Sequence, residues 1–293
     1  MTTRELGLVL AQQLLDVDDL HYGLWDAGLE PSLGNLRIAQ QRYSELLLDT
    51  AAEFLDGQDF PHILDVGCGT GRLAEQLLAR GWQVTAVSPS RALAEQARKR
   101  LAAYLASQAR LLECRFEDLP AAVGRFELVL FSESFQYIPL QQLLQRLPGL
   151  LVPGGKVLVC DFFKTAAHGD GGVGDRSFGG GHLLTEFYRQ LEASSFALLR
   201  DTDLTRRISP TIELLDDWLN DRLIPAAGTM DDYLLDNYPR LTGLLKWLLR
   251  HKLARLRYKY LAGNRSRAVF EQYKSYRLLV FKVSQEPVGL RGS

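Results

Sequence analysis

Residues Ile63-Leu64-Asp65-Val66-Gly67-Cys68-Gly69-Thr70-Gly71 carry a short apolar strand into a turn with glycines at alternate positions. A carboxylate, Asp65, stands one residue before the strand ends. Glycines leave no Cβ in the way and admit left-handed angles, so a ligand can lie directly on the main chain. The helix that the sequence predicts over Arg72 to Arg80 aims its positive N-terminus at the same place. A dinucleotide-binding turn reads G-x-G-x-x-G and seats a pyrophosphate; this turn reads G-x-G-x-G, one residue shorter. Asp65 would repel a pyrophosphate and attract an ammonium or a sulfonium, so a cationic ligand fits better than an anionic one. Should a proton have to be removed, Glu133, Tyr137, His168 and His182 are the candidate bases.

Repeated strand and helix units must position these groups. Apolar residues at helical spacing from Leu36 to Phe54 predict a helix over Arg37 to Leu55, ahead of the strand Ile63 to Val66. Strands follow at Gln83 to Val87, Arg110 to Cys114, Phe126 to Phe131 and Lys156 to Asp161, the last entered through a Pro153-Gly154-Gly155 turn. Helices are predicted over Ser90 to Ser107 and Leu140 to Leu147. Such alternation implies a parallel sheet covered on both faces, with the ligand beyond the carboxyl ends of the strands. Ala197 to Asp203 and Tyr276 to Val283 alternate as two further strands, separated by a mostly helical insertion from about Ser209 to Gln272. Gly169 to Gly181 holds seven glycines and reads either as a mobile lid or as an ordinary connector.

The string Asp65-Val66-Gly67-Cys68-Gly69-Thr70-Gly71 resembles motif I of the class I S-adenosylmethionine-dependent methyltransferases at every position. That resemblance implies a Rossmann-like α/β fold: a mostly parallel seven-stranded sheet, helices on both faces and a helical cap inserted before an edge strand, Tyr276 to Val283. It implies S-adenosylmethionine as cofactor, released as S-adenosylhomocysteine, with Asp65, Gly67, Cys68, Gly69 and Ser132 among the contacts. Ser88 and Pro89 stand where the family's ribose-binding acid usually lies, a replacement similar to the branch holding the tocopherol-type methyltransferases and the cyclopropane-fatty-acid synthases. Phe116 and Glu117 resemble the adenine-binding segment, and Glu133, with Tyr137 and His182, is expected near the transferred methyl. His21-Tyr22-Gly23-Leu24-Trp25 is similar to an element that folds over the cofactor in small-molecule methyltransferases, which would bring Tyr22 and Trp25 to it. The activity implied is methylation of an O, N or C atom of a small, specialised metabolite. A lipid or isoprenoid methyltransferase or cyclopropane synthase is one alternative, although Gln136-Tyr137 replaces the synthases' E-H pair. Ser88 with Arg91 would also suit the 2′-phosphate of NADP in an oxidoreductase, and a noncatalytic cofactor-binding subunit is a third reading.

With 293 residues and 46% apolar content the chain can bury a full core. No apolar run is long enough for a membrane span, so a soluble, cytoplasmic protein is expected, as monomer or homodimer. Cys68, Cys114 and Cys160 stand singly, which disfavours a disulfide framework and a zinc site. The net charge of -1 and the lack of an RNA-binding module argue against nucleic acid. Four segments are expected: 1–60, helical and covering the cofactor; 61–208, the cofactor-binding core; 209–272, a helical substrate cap; and 273–293, the last edge strand and tail. Within the cap, Arg240 to Arg267 carries nine Lys and Arg and no acid. Such a stretch, 240–267, suits transient contact with an anionic membrane or an acidic ligand, or else forms a packed helix with a solvated face.

Overall fold

The computed structural model describes Leu14 and residues 17–19, 21–260 and 264–284; the side chains of 252, 253 and 255–260, together with the tail beyond 284, lie outside the described residues. Helix α1 (Leu36–Phe54) precedes the alternating series β1 (His62–Val66), α2 (Arg72–Ala79), β2 (Gln83–Val87), α3 (Arg91–Leu101) and β3 (Ala109–Leu112). Then come β4 (Phe126–Ser132), α4 (Leu140–Leu150), β5 (Leu151–Lys164), α5 (Leu184–Glu192) and β6 (Phe196–Asp203). The insertion consists of α6 (Thr205–Ile208), α7 (Pro210–Trp218), a π turn (Leu219–Leu223), α8 (Ile224–Asn237), α9 (Pro239–Tyr260) and α10 (Arg267–Tyr273), after which β7 (Lys274–Val283) closes the sheet. Among the described residues no helix is long and apolar enough to cross a membrane.

The seven strands lie in the order β3-β2-β1-β4-β5-β7-β6. The first five are parallel, and β7 pairs antiparallel with both β5 and β6. The last strand is therefore not an edge: β7 sits between β5 and β6, and β6 takes the edge. The reason is visible in the side chains, since Leu278, Leu279, Val280 and Phe281 of β7 are all buried, whereas in β6 only Phe196 is buried and the remaining residues are half-exposed or exposed. Consecutive strand residues divide between two apolar layers. Ile63, Leu128, Leu130 and Leu158 pack with Tyr43, Leu47 and Leu77 on one face. Leu64, Val129, Phe131 and Val157 pack with Leu143, Leu147 and Phe187 on the other.

Other expectations shift at element ends. Helix α3 stops at Leu101 rather than Ser107, because its buried stripe of Ala94, Ala97 and Leu101 runs out and Leu105 is exposed; a helix end without a packed face is not held. Pro153-Gly154-Gly155 lies inside β5 as a bulge: Phe126 pairs with Leu151 but Leu128 with Lys156. Helix α5 was not anticipated, although Leu184, Phe187, Tyr188 and Leu191 show helical spacing. Because β6 ends and β7 begins beside the carboxyl end of β5, the insertion does spring from the ligand end of the sheet.

Candidate cofactor and acceptor site

The strand order reverses between β1 and β4, each of which pairs with the other and leads outward on opposite sides. Open parallel sheets leave a crevice at such a point. Here it is a cavity of about 650 Å³, lined by Asp65, Gly67, Cys68 and Gly69 after β1 and by Ser132, Glu133, Gln136 and Tyr137 after β4. Tyr22 from the N-terminal segment, Phe162 from β5, Gly180 from the glycine-rich loop and Arg265 from the insertion complete its walls.

The three glycines of the turn serve different ends. Gly67 has φ +80°, and a Cβ there would lie 2.4 Å from Ser134 Cβ. Gly71, at φ +81°, would press a Cβ to 2.9 Å from Ala97, so it lets α2 close on α3. Gly69, at φ +56°, has open space where a Cβ would stand and leaves the cavity floor bare. Beneath the turn Asp65 is 1% exposed, and its Oδ2 has no hydrogen-bond partner. Burial pushes its carboxyl up to about 7. A buried acceptor without a partner costs about 1 to 3 kcal/mol, which a donor or cation placed there would recover. The cavity thus carries, at its β1 end, a bare main-chain floor over an unsatisfied carboxylate.

The β4 end is organised around Glu133. Its backbone adopts φ +53°, a left-handed angle that a non-glycine residue seldom takes, while its N–H donates to the Cys160 carbonyl at 2.9 Å. Its Oε1 accepts from the Tyr22 main-chain N–H at 3.0 Å and from the Tyr276 hydroxyl at 2.7 Å. The Tyr276 and Tyr43 hydroxyls lie 3.1 Å apart, Tyr43 lies 3.1 Å from the Ser132 hydroxyl, and His21 stacks on Tyr43 with centroids 4.3 Å apart. Burial raises the Glu133 carboxyl above its ordinary range, against these hydrogen bonds, which lower it. Tyr22, whose main chain makes that bond, has its phenol raised strongly by burial and by the Glu133 charge.

Next along the wall, Asp161 is fully buried and accepts from Gln136 N–H at 3.0 Å, Gln136 Nε2 at 3.0 Å and Phe162 N–H at 2.8 Å. Burial pushes its carboxyl up to about 8 despite these donors. Because a carboxylate takes Nε2, the Gln136 Oε1 must turn away; it is buried, unpartnered and covered by Gly180, where a Cβ would stand 2.2 Å from it.

Several expected residues lie elsewhere. Trp25 is buried in a separate apolar cluster and donates from Nε1 to Thr211 Oγ1 at 2.8 Å; it fastens the N-terminal segment to α7 and does not line the cavity. Ser88 is buried with its hydroxyl 3.5 Å from the Ser90 carbonyl, and Pro89 is exposed; neither lines the cavity. Phe116 is a core residue against Phe131, with the Arg146 guanidinium over its ring, and the Glu117 carbonyl accepts from Arg146 at 2.5 Å. His182 turns its Nε2 to the Phe135 carbonyl at 3.3 Å, outside the cavity wall, and burial lowers its imidazole. His168 pairs with Asp175 at 3.0 Å. The glycine-rich loop is tied at several points: Tyr273 donates to Asp170 at 2.9 Å, and Lys274 Nζ donates to the Gly180 carbonyl at 2.7 Å. Tyr43, Asp161, Arg265 and Tyr276 were not foreseen as site residues. Tyr43 and Tyr276 read as ordinary apolar positions of a helix and a strand, and no spacing rule links residues so far apart in sequence.

Known proteins share the domain in which this cavity lies. Residues 63–155 match the methyltransferase domain family model. A ubiquinone biosynthesis O-methyltransferase of Coxiella burnetii is 34% identical over 109 residues, 36% of this chain and 43% of that protein. A chloroplastic protein of Oryza sativa assigned to tocopherol O-methylation is 30% identical over 150 residues, 48% of this chain and 40% of the relative. The chain thus spans under half the length of these curated relatives. Among solved structures, geranyl diphosphate C-methyltransferase from Streptomyces coelicolor superposes with a TM-score of 0.63 at 19% identity, covering 93% of this chain and 92% of that one, which shows a common fold. Residues 63–155 thus match a methyltransferase domain, and in the motif of its first turn and its sheet order the chain is similar to the class I S-adenosylmethionine-dependent methyltransferases.

Proposed function

We propose that this protein transfers a methyl group from S-adenosylmethionine to an O, N or C atom of a small molecule, a specialised metabolite, in the cytoplasm. The carrying observation is the cavity at the strand reversal, with an unsatisfied buried carboxylate at one end and a hydrogen-bonded one at the other. The donor set fits the cofactor: Asp65 would take its ammonium, and Gly67, Cys68 and Gly69 would lie under its amino-acid part. Tyr22 and Ser132 line the cavity beside Glu133. Ser88, Pro89, Phe116 and Glu117 flank the carboxyl ends of β2 and β3, toward which an adenosine would extend. When bound, S-adenosylmethionine supplies a methyl on a sulfonium, a leaving group already activated by its charge. What remains for the protein is alignment and exclusion of water, which can be worth on the order of 7 to 11 kcal/mol. Glu133, held by Tyr22 and Tyr276, would accept a proton from a hydroxyl or amine acceptor, and half-exposed Tyr137 would border that acceptor.

Relatives named for ubiquinone and tocopherol methylation, and a neighbour named for geranyl diphosphate, support a small, largely apolar acceptor. A lipid or isoprenoid acceptor is the second reading, favoured by the exposed apolar residues of α8 and α9; 240–267 would then meet a membrane or an acidic ligand. The NADP reading has less support, because Ser88 is buried and turned from the cavity.

Calorimetric titration with S-adenosylmethionine, S-adenosylhomocysteine and NADPH, on wild type and Asp65→Ala, tests the assignment. Micromolar binding of the first two, lost in the variant, is the expected outcome; binding of NADPH alone would refute it.

A further inference from the structure

Among the described residues five buried side-chain polar atoms have no hydrogen-bond partner: Asp65 Oδ2, Arg72 Nε, Gln76 Oε1, Gln136 Oε1 and His168 Nδ1. Two of them still face an acid, Arg72 Nε at 3.2 Å from Asp19 and His168 Nδ1 at 3.0 Å from Asp175. Gln76 does not line the cavity, whereas Asp65 and Gln136 both do. The cavity wall therefore holds two orphaned acceptors. Asp65 stands at the β1 end, where the ammonium of the proposed cofactor would satisfy it. Gln136 stands at the β4 end, three residues after Glu133, and nothing in the cofactor supplies it with a donor.

Neighbours fix the direction of the Gln136 amide. The two Asp161 oxygens accept from the main-chain N–H groups of Gln136 at 3.0 Å and Phe162 at 2.8 Å, donors that cannot turn away. They favour a carboxylate there, and a carboxylate takes the amide through Nε2, at 3.0 Å, rather than through Oε1. Oε1 lies against Gly180, which also lines the cavity and brings no side chain; a Cβ there would stand 2.2 Å from it. The wall around it is aromatic, with Tyr22, Tyr137 and Phe162. An amide oxygen only accepts, so a hydroxyl or an N–H is what satisfies it. A ligand that offers such a donor gains affinity, and one that sets an ether there leaves the oxygen unpaired.

We propose that Gln136 Oε1, aimed by Asp161, selects acceptor molecules that carry a second hydroxyl or N–H besides the group that is methylated. The selection rests on the methyltransferase reading, in which Glu133 faces the reacting group. The test is ligand-observed NMR titration of the full chain saturated with S-adenosylhomocysteine, whose binding is first established by calorimetry. The probes are catechol and 2-aminophenol, which carry a second donor, and 2-methoxyphenol, in which a methyl ether replaces it. Wild type should bind catechol, 2-aminophenol or both about fivefold or more tighter than 2-methoxyphenol, and the tighter of the two names the donor. Gln136→Met removes the oxygen, and Gly180→Ala displaces it with a methyl while the main-chain bond from Gln136 to Asp161 stays. In both variants the preference should fall to about one, with the fold by circular dichroism and the S-adenosylhomocysteine affinity kept. Equal binding of the three probes by wild type, or no binding of any, would overturn the selection and leave the methyltransferase reading in place. So would a preference that survives removal of the oxygen, or its displacement by Gly180→Ala where Gln136→Met does not fold. Failure of wild type to bind S-adenosylhomocysteine would overturn the methyltransferase reading, and the selection with it.

Discussion

At the scale of single residues, the cavity rests on two carboxylates in opposite conditions. Asp65 has an oxygen without a partner, and burial holds its carboxyl at about 7. Cofactor binding to the ionised form must therefore release a proton below that value. Between roughly pH 5.5 and 7 the affinity should rise with pH, approaching tenfold per unit at the acid end. Calorimetry in two buffers of different ionisation enthalpy will show the proton, and heats identical in both would contradict the scheme. Glu133 is instead braced by the Tyr22 N–H and the Tyr276 hydroxyl. Glu133→Gln should lower kcat by about a hundredfold or more on any protic acceptor that wild type methylates, with S-adenosylhomocysteine affinity kept. Tyr276→Phe removes a hydrogen bond that lowers the Glu133 carboxyl. The rising limb of its pH–rate profile should move to higher pH; an unmoved limb would deny Glu133 the role of base.

At the scale of elements, the β1–α2 turn couples helix packing to ligand approach through neighbouring glycines. A Cβ at Gly71 meets Ala97 at 2.9 Å with φ already positive, whereas one at Gly69 meets nothing within 4 Å. Gly71→Ala should cost about 2 to 4 kcal/mol of stability through strain and overpacking. Gly69→Ala should cost only about 1 to 2 kcal/mol and yet weaken cofactor binding, because its methyl enters the cavity. Thermal melts and S-adenosylhomocysteine titrations on both variants separate the two effects; equal melting losses would show that the glycines share one task. The N-terminal segment is a comparable element. It is anchored by Trp25 and Gly23 on Thr211, and through Tyr22 on Glu133, so the N-terminal segment and the β4 end of the cavity are braced together.

At the scale of the molecule, buried acids set the pH dependence of stability. Asp65 and Asp161 are raised from 3.8 to about 7 and about 8. Between the unfolded and folded values the native chain binds more protons than the unfolded one, so stability should fall as pH rises from about 4 toward 8. Acids held low by partners, such as Asp203 beside Thr205 and Arg277, act oppositely and lose their contribution only in more acidic solution. Melting temperatures should therefore decline from pH 5 to pH 8, with a shallower decline in Asp65→Asn. A melting temperature that climbs over this range would mean that these carboxylates are not buried as described.

The amino-acid sequence by itself determined the strand–turn–helix at residues 62–79, the parallel core and the place of the helical insertion. Each of these follows from local spacing: apolar runs, glycines at alternate positions, and a carboxylate beside them. Only the tertiary structure decided that β7 enters the sheet between β5 and β6, because pairing depends on which strands have two apolar faces to cover. It also decided that Trp25 and His182 brace the walls while Tyr276, Tyr43 and Asp161 hold the residues of the site. The longest of those contacts join positions more than a hundred residues apart, such as Tyr276 and Glu133, and the chain must fold before their hydrogen bonds can form.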